Sequence, residues 1–127
     1  MTSRQKLFVA EYLVDLNASR AAIAAGYSTN GADGTGSRLL VNIKVAEQIS
    51  KRLLRGLPAI KLQMAARMIV EENPADAEIA AFMGLKPRAL RFLKTVPSFA
   101  KRIERERSIL SLEESFRPAL ARLAGKD

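Results

Sequence analysis

Two clusters of polar and basic side chains are the candidates for chemistry in this chain of 127 residues. The first combines short hydrogen-bonding groups with positive charges, and its members are Arg20, Ser28, Thr29, Asn30, Thr35, Arg38 and Lys44. The second contains four cations with no acid among them, namely Lys86, Arg88, Arg91 and Lys94. Hydroxyl, amide and guanidinium groups bind base edges and phosphate oxygens. Both clusters are therefore candidates for contact with DNA. The alternatives are a glycine-rich surface loop that contacts nothing for the first cluster and a solvated helical face for the second.

The composition favours a binding role over catalysis. Lys and Arg number 21 against 13 Asp and Glu, and the net charge of +8 attracts polyanions. The chain has no Cys and no His, which excludes thiol nucleophiles, His-based triads and the common zinc sites. We therefore expect no catalytic residue, no metal and no cofactor.

A nuclease or ATPase is the third-ranked function. Glu71, Glu72 and Asp76 offer oxygen ligands for Mg²⁺, but the chain lacks the Gly-x-x-x-x-Gly-Lys loop that binds nucleotide phosphates. We interpret these acids as a solvated helix end. The mixed run of Arg, Lys and Glu over residues 101–107 is likewise interpreted as a solvated helical face with Glu–Arg pairs.

The chain has no apolar run of the roughly 20 residues that span a bilayer, and Met1-Thr2-Ser3-Arg4 is not followed by a signal-peptide apolar stretch. We therefore expect no membrane partner and a cytoplasmic protein.

Helix start and stop signals recur along the whole chain and predict an all-α fold. The predicted helices cover about residues 2–16, 17–25, 28–40, 42–56, 58–72, 75–83, 87–95 and 98 onward. Ser28 or Thr29 is the expected cap of the third helix, which its glycines should weaken. The last helix is expected to restart at Ser111 and to be limited by Pro118, with residues 125–127 frayed.

Two segments have the spacing of a helix-turn-helix, which needs a small residue at the helix crossing, a tight turn four places later and an apolar residue beyond. Ala22, Gly26 and Ala32 satisfy it in the first segment. In the second segment the corresponding residues are Ala80, Gly84 and Leu90. We predict a helix-turn-helix DNA-binding domain over 1–56 and a second helical region over 57–127, which contains the second segment.

Residues 4–50 resemble the small terminase subunits of tailed bacteriophages and prophages. The matching pattern is Gln5-x-x-Phe8-x-x-x-Tyr12-Leu13, then Asp15 to Ala18, Ala21-Ala22-Ile23-x-Ala25-Gly26-Tyr27-Ser28, Ala32, Gly36 to Leu40, and Asn42 to Val45.

The resemblance implies a DNA-recognition subunit that binds viral double-stranded DNA at a packaging-start site in the host bacterial cytoplasm. It also implies that residues 57–127 form a helical region for oligomerisation and for binding a large subunit, which carries the ATPase motor and nuclease. The implied assembly is a ring of about eight or more copies. The alternative is a helix-turn-helix transcription regulator that reads DNA with its second segment and dimerises through the last helix. A dimer on a palindrome would separate this alternative from a larger closed assembly.

Overall fold

The computed structural model describes residues 1–125, and over this range the chain forms helices and no strand. In chain order they are α1 (Ser3–Asp15), α2 (Ala18–Ala24), α3 (Ala32–Val41), α4 (Ile43–Leu53), α5 (Ala59–Glu72), α6 (Asp76–Met83), α7 (Pro87–Thr95) and α8 (Pro97–Ala124). The prediction of an all-α fold is therefore confirmed. None of these helices has both the length and the apolar composition needed to cross a bilayer.

Side-chain caps fix the starts of α1, α2 and α4. Thr2 Oγ1 accepts a hydrogen bond from the Gln5 amide at 3.1 Å, and Gln5 Oε1 accepts one from the Thr2 amide at 3.0 Å. Asn17 and Asn42 accept bonds from the amides of the third helical residues at 3.0 and 3.2 Å. Each cap satisfies an amide that the helix itself leaves free, so these starts follow from local sequence.

The predicted start of α3 is wrong. Ser28 Oγ accepts a hydrogen bond from the Asn30 amide at 3.1 Å, so this hydroxyl closes a local turn and does not cap a helix. The chain then passes through Gly31 at a φ of 70°, and α3 begins at Ala32. Despite Gly34 and Gly36 in its interior, α3 is continuous to Val41.

The expected break in the last helix is also wrong. α8 runs without interruption through Pro118. Ser111 lies inside the helix, where its carbonyl accepts a hydrogen bond from the Ser115 hydroxyl at 3.0 Å. Of the three residues expected to fray, Gly125 caps α8, while residues 126 and 127 lie outside the described part of the chain.

One hydrophobic core continues across the domain boundary predicted near residue 57. The rings of Phe8 and Tyr12 stack within α1 at a centroid distance of 5.9 Å, and Tyr12 contacts Phe92 of α7 at 5.7 Å. The hydroxyl of Ser98 also donates to the Glu47 carboxylate at 2.5 Å, which joins α8 to α4. The first four helices are therefore packed directly on the last two.

Arg67 of α5 holds the middle of α8 in place. Its guanidinium lies 2.5 Å from Glu71 on its own helix, 3.7 Å from Glu106 and in contact with Glu113. The expected pair of Arg107 with Glu104 is present at 3.3 Å. Glu106, in contrast, is only 4% exposed. The face over residues 101–107 is therefore less solvated than the sequence predicted.

Candidate nucleic-acid interface

α3 presents a polar face on the surface of the first four helices. Asp33, Ser37 and Arg38 are exposed on it, beside the apolar Val41, which is 77% exposed. The Arg38 guanidinium donates to the Thr35 hydroxyl at 3.3 Å and so lies along the helix. Thr35 is half-buried, so this hydrogen bond holds the Arg38 side chain along the helix.

Gly36 allows α3 to pack closely on α2. It is buried, and a Cβ atom at this position would lie 2.8 Å from the backbone carbon and oxygen of Ala18. Real Cβ atoms essentially never approach a backbone so closely. Gly36 therefore fixes the separation of the two helices, a role that the sequence interpretation, which treated it as a source of weakness, did not include.

The link between α2 and α3 presents the predicted hydrogen-bonding groups. Gly26 adopts a φ of 99°, and the next amide, that of Tyr27, donates to the Ala22 carbonyl at 3.0 Å, which ends α2 sharply. The three residues that follow are exposed, and they are Ser28, Thr29 and Asn30. Ser19 and Asp33 join the start of α2 to the start of α3 through a side-chain hydrogen bond.

Arg20 is partly exposed and is paired with acids of α1. Its guanidinium lies 2.6 Å from Asp15 and 2.9 Å from Glu11, and it donates to the Glu11 carbonyl at 2.6 Å. The hydrogen bond from Arg20 lowers the pKa of Asp15 and, reciprocally, the same pair raises the pKa of Arg20. These contacts fasten α2 to α1, so Arg20 positions the helix pair.

Lys44 lies beside the amino-terminal end of α1. It is exposed in the first turn of α4 and lines a shallow depression with Asn42, Ile43 and the first residues of the chain. Two further cations at this end were absent from the sequence prediction. The Arg4 guanidinium lies 5.7 Å from the centre of the Tyr27 ring, and Lys6 lines a depression with Arg52. Arg4 stands one turn before the buried Phe8, a spacing that indicates a position at the edge of the core.

The second predicted cluster is divided by the structure. Lys86, Arg88 and Arg91 are exposed and line one depression with Asp15 and Leu16. Arg88 also lies near Tyr12, where its charge opposes the rise in the pKa of Tyr12 that burial causes.

Lys94, the fourth member of that cluster, is half-buried and pairs with Asp76 of α6 at 2.6 Å. Glu71, in contrast, pairs with Arg67. These two acids therefore face separate cations, and within residues 1–125 no group of three acids is placed to hold a metal ion.

Comparisons with known proteins agree with the sequence resemblance. The profile of the family described as terminase small subunit matches residues 1–83. The PBSX phage terminase small subunit of Bacillus subtilis (strain 168) is 42% identical over 71 residues, which are 56% of this chain and 24% of that protein. The terminase small subunit of Staphylococcus phage 80alpha is 46% identical over 54 residues, 42% of this chain and 37% of that protein.

The terminase small subunit of Bacillus phage SF6 is 41% identical over the same number of residues, 54, with the same coverage of 42% and 37%. The matched part of this chain thus spans 24% to 37% of the length of these relatives. No solved structure matches the chain. Since the family profile covers well over half of the sequence and includes both α2 and α3, this chain belongs to the terminase small subunit family.

Proposed function

We propose that this chain is the DNA-recognition subunit of a phage genome-packaging complex. It binds double-stranded DNA at a packaging-start site in the cytoplasm of the infected bacterium and has no catalytic activity of its own. It acts as a homo-oligomer and recruits the large terminase subunit, which carries the ATPase motor and nuclease. Support comes from the family to which the chain belongs and from the names of its relatives.

The observation that carries the proposal is the close packing of α2 against α3 with a polar face left open on α3. In the proposal the two helices form a helix-turn-helix, and α3 enters the major groove. The missing Cβ at Gly36 sets the separation of α2 and α3, and the Arg20 clamp fastens α2 to α1, so the three helices have a fixed geometry. A fixed geometry favours binding because less conformational freedom is lost when the complex forms.

We assign DNA contacts to side chains that are exposed and that are not already paired with an acid of the same chain. Arg38 and the polar link before α3 are assigned to base edges or nearby phosphates, and Lys44 is assigned to a phosphate. Arg20 and Lys94 are left out of the contact set because each is paired with acids of its own chain. Lys6 is added as a phosphate contact because it lies at the same end of α1 as Lys44. Arg4 is added because its guanidinium lies over Tyr27, next to the polar link.

Substitution of Arg38 tests the assignment to α3. Arg38→Ala should weaken binding to a fluorescent duplex carrying the packaging region by about tenfold to a hundredfold, the usual effect of losing an arginine contact to a base. Arg122→Ala removes the same charge near the end of α8 and serves as the matched control. The two variants should have the same helix content by circular dichroism. Equal losses of affinity would contradict the assignment.

A transcription regulator that reads DNA with α6 and α7 is the second candidate, and one observation favours it. The turn after α6 repeats the construction after α2, because Gly84 has a φ of 74° and the Leu85 amide donates to the Ala80 carbonyl at 2.8 Å. The helix that follows exposes Arg88 and Arg91. For such a regulator, Arg91→Ala would remove most of the affinity for a palindromic duplex while Arg38→Ala would leave it unchanged.

A further inference from the structure

Val41 is an apolar side chain that the fold leaves open to solvent. It is the last residue of α3, and at 77% exposure it is the most exposed large apolar residue of the described chain. Single apolar side chains are common on protein surfaces, so exposure alone assigns no role to Val41. Its neighbours on α3 and the charges around it supply the further observations.

Val41 shares a face of α3 with the polar residues of the proposed DNA contact. Residues three and four positions apart lie on one face of a helix. Arg38 and Ser37 precede Val41 by three and four residues, and both are exposed. The opposite face of α3 is buried and includes Gly36 and Leu39. Any molecule that binds the exposed face of α3 therefore meets Val41 together with Ser37 and Arg38.

Cations lie on both sides of Val41 along the chain. Arg38 precedes it by three residues and Lys44 follows it by three, and both are exposed. Neither cation forms an ion pair with an acid in the described part of the chain. A wholly apolar partner surface would bury these charges without a counter-charge. A DNA duplex fits both features, because its phosphates border a major groove that contains methyl groups.

The major groove offers one group that suits a valine side chain. Base pairs present hydrogen-bond donors and acceptors there, and the methyl group of thymine is the apolar substituent among them. Valine has no hydrogen-bonding group in its side chain, so its favourable contact in the groove is with this methyl group. Its branched side chain is stiff, and the contact therefore costs little side-chain freedom.

The spacing on α3 places two base contacts close together on the duplex. An α-helix rises about 1.5 Å per residue, so Val41 lies about 4.5 Å beyond Arg38 along the axis of α3. Base pairs are stacked about 3.4 Å apart. With α3 lying along the groove, Arg38 and Val41 therefore reach base pairs that are adjacent or separated by one.

We propose that Val41 contacts the methyl group of a thymine in the major groove and so sets part of the sequence specificity of this chain. Arginine most often contacts guanine in this groove. The thymine should therefore lie within about two base pairs of the guanine that Arg38 binds. The inference rests on the proposed function, in which α3 enters the major groove, and names a base feature that α3 reads.

Replacement of thymine by uracil tests the contact, because uracil lacks only the methyl group. The probe is a pool of short duplexes with a randomised centre, from which the full chain selects bound sequences. Each thymine of the selected sequence is then replaced by uracil in turn, and affinity is measured by fluorescence anisotropy. One replacement, close to the guanine whose selection Arg38→Ala abolishes, should weaken binding about fourfold, the effect of losing one buried methyl group.

Val41→Ser isolates the role of the valine side chain. The variant should bind the thymine duplex about fourfold more weakly than the wild type and should no longer distinguish it from the uracil duplex. A change in DNA shape caused by uracil would affect both chains equally, so the comparison reports the contact itself. Val14→Ser is the matched control, because Val14 is a valine of α1 that is 69% exposed. This control should discriminate between the two duplexes as the wild type does.

Equal binding of the wild type to thymine and uracil duplexes at every position would overturn the proposal and leave DNA recognition intact. Retention of the full thymine preference by Val41→Ser, with unchanged helix content by circular dichroism, would also overturn it. A wild-type chain that selects no duplex at all would contradict the proposed function as well. The failure of this contact and the failure of DNA recognition are therefore distinguishable.

Discussion

Gly36 is the single residue on which the packing of α2 against α3 depends most. A Cβ at this position meets backbone atoms of Ala18, which cannot rotate away as a side chain can. Gly36→Ala should therefore lower the free energy of unfolding by about 1–3 kcal/mol, as overpacking in a core does. Chemical denaturation of the purified variant measures this loss.

Gly34 provides the control for this substitution within the same helix. A Cβ there would lie 3.3 Å from the end of the flexible Arg38 side chain and near nothing else. Gly34→Ala should raise stability by up to about 1 kcal/mol, because alanine favours the helix. If both substitutions changed stability equally, the close approach of α3 to Ala18 would be refuted.

At the residue scale, the sequence predicts correctly the residues that act on their immediate neighbours. Thr2 and Asn42 cap their helices as local spacing predicts. The role of Arg20 could not be derived in this way, because its partners Glu11 and Asp15 belong to the preceding helix. Only the angle between the two helices brings these groups together, and that angle depends on tertiary packing.

At the scale of helices, the clamp between α1 and α2 should be sensitive to acid. Arg20 lowers the pKa of Asp15 below its ordinary value of 3.8. The contribution of this pair to stability is therefore fully present above about pH 4 and is lost as the pH falls through the lower pKa of the folded state. Thermal unfolding measured between pH 2 and 7 should show this loss.

Asp15→Asn isolates the contribution of this carboxylate. The variant should be less stable than the wild type at neutral pH, and the difference between the two should shrink as the pH falls below 4. Other acids titrate in the same range, but they do so in both proteins. A difference that stays constant with pH would show that Asp15 is not coupled to Arg20.

The helices themselves were predictable in number and order, and two boundaries were not. Ser28 has the residue type of a helix cap, but its hydroxyl is used within the turn, so α3 begins after Gly31. α8 continues through Pro118 although proline lacks the amide that helix bonding uses. In both cases one residue allows two local structures, and the surrounding chain decides between them.

At the scale of the whole molecule, Phe92 connects the two halves of the chain. Its ring contacts Tyr12 across the predicted boundary and is only 8% exposed. Phe92→Ala should destabilise the protein by about 3 kcal/mol, as loss of a buried phenylalanine does. Both halves should unfold together, since they share a core.

Two optical probes can compare the unfolding of the first half with that of the whole chain. The two tyrosines are Tyr12 and Tyr27, and the chain has no tryptophan, so intrinsic fluorescence reports the first half. Far-ultraviolet circular dichroism reports all the helices. Coincident midpoints that shift equally in Phe92→Ala are expected. A fluorescence midpoint that the substitution does not move would mean that the halves unfold independently.

DNA binding through α3 and the cations around it is tested most directly by a salt titration of affinity for duplex DNA. With the four assigned cations of one chain on phosphates, affinity should fall about a hundredfold between 50 and 200 mM salt, and further where several copies bind one duplex. Lys44→Ala should reduce the slope of log affinity against log salt by about one. An affinity that does not change over this range, or no binding even at 50 mM salt, would contradict the proposed role in DNA recognition.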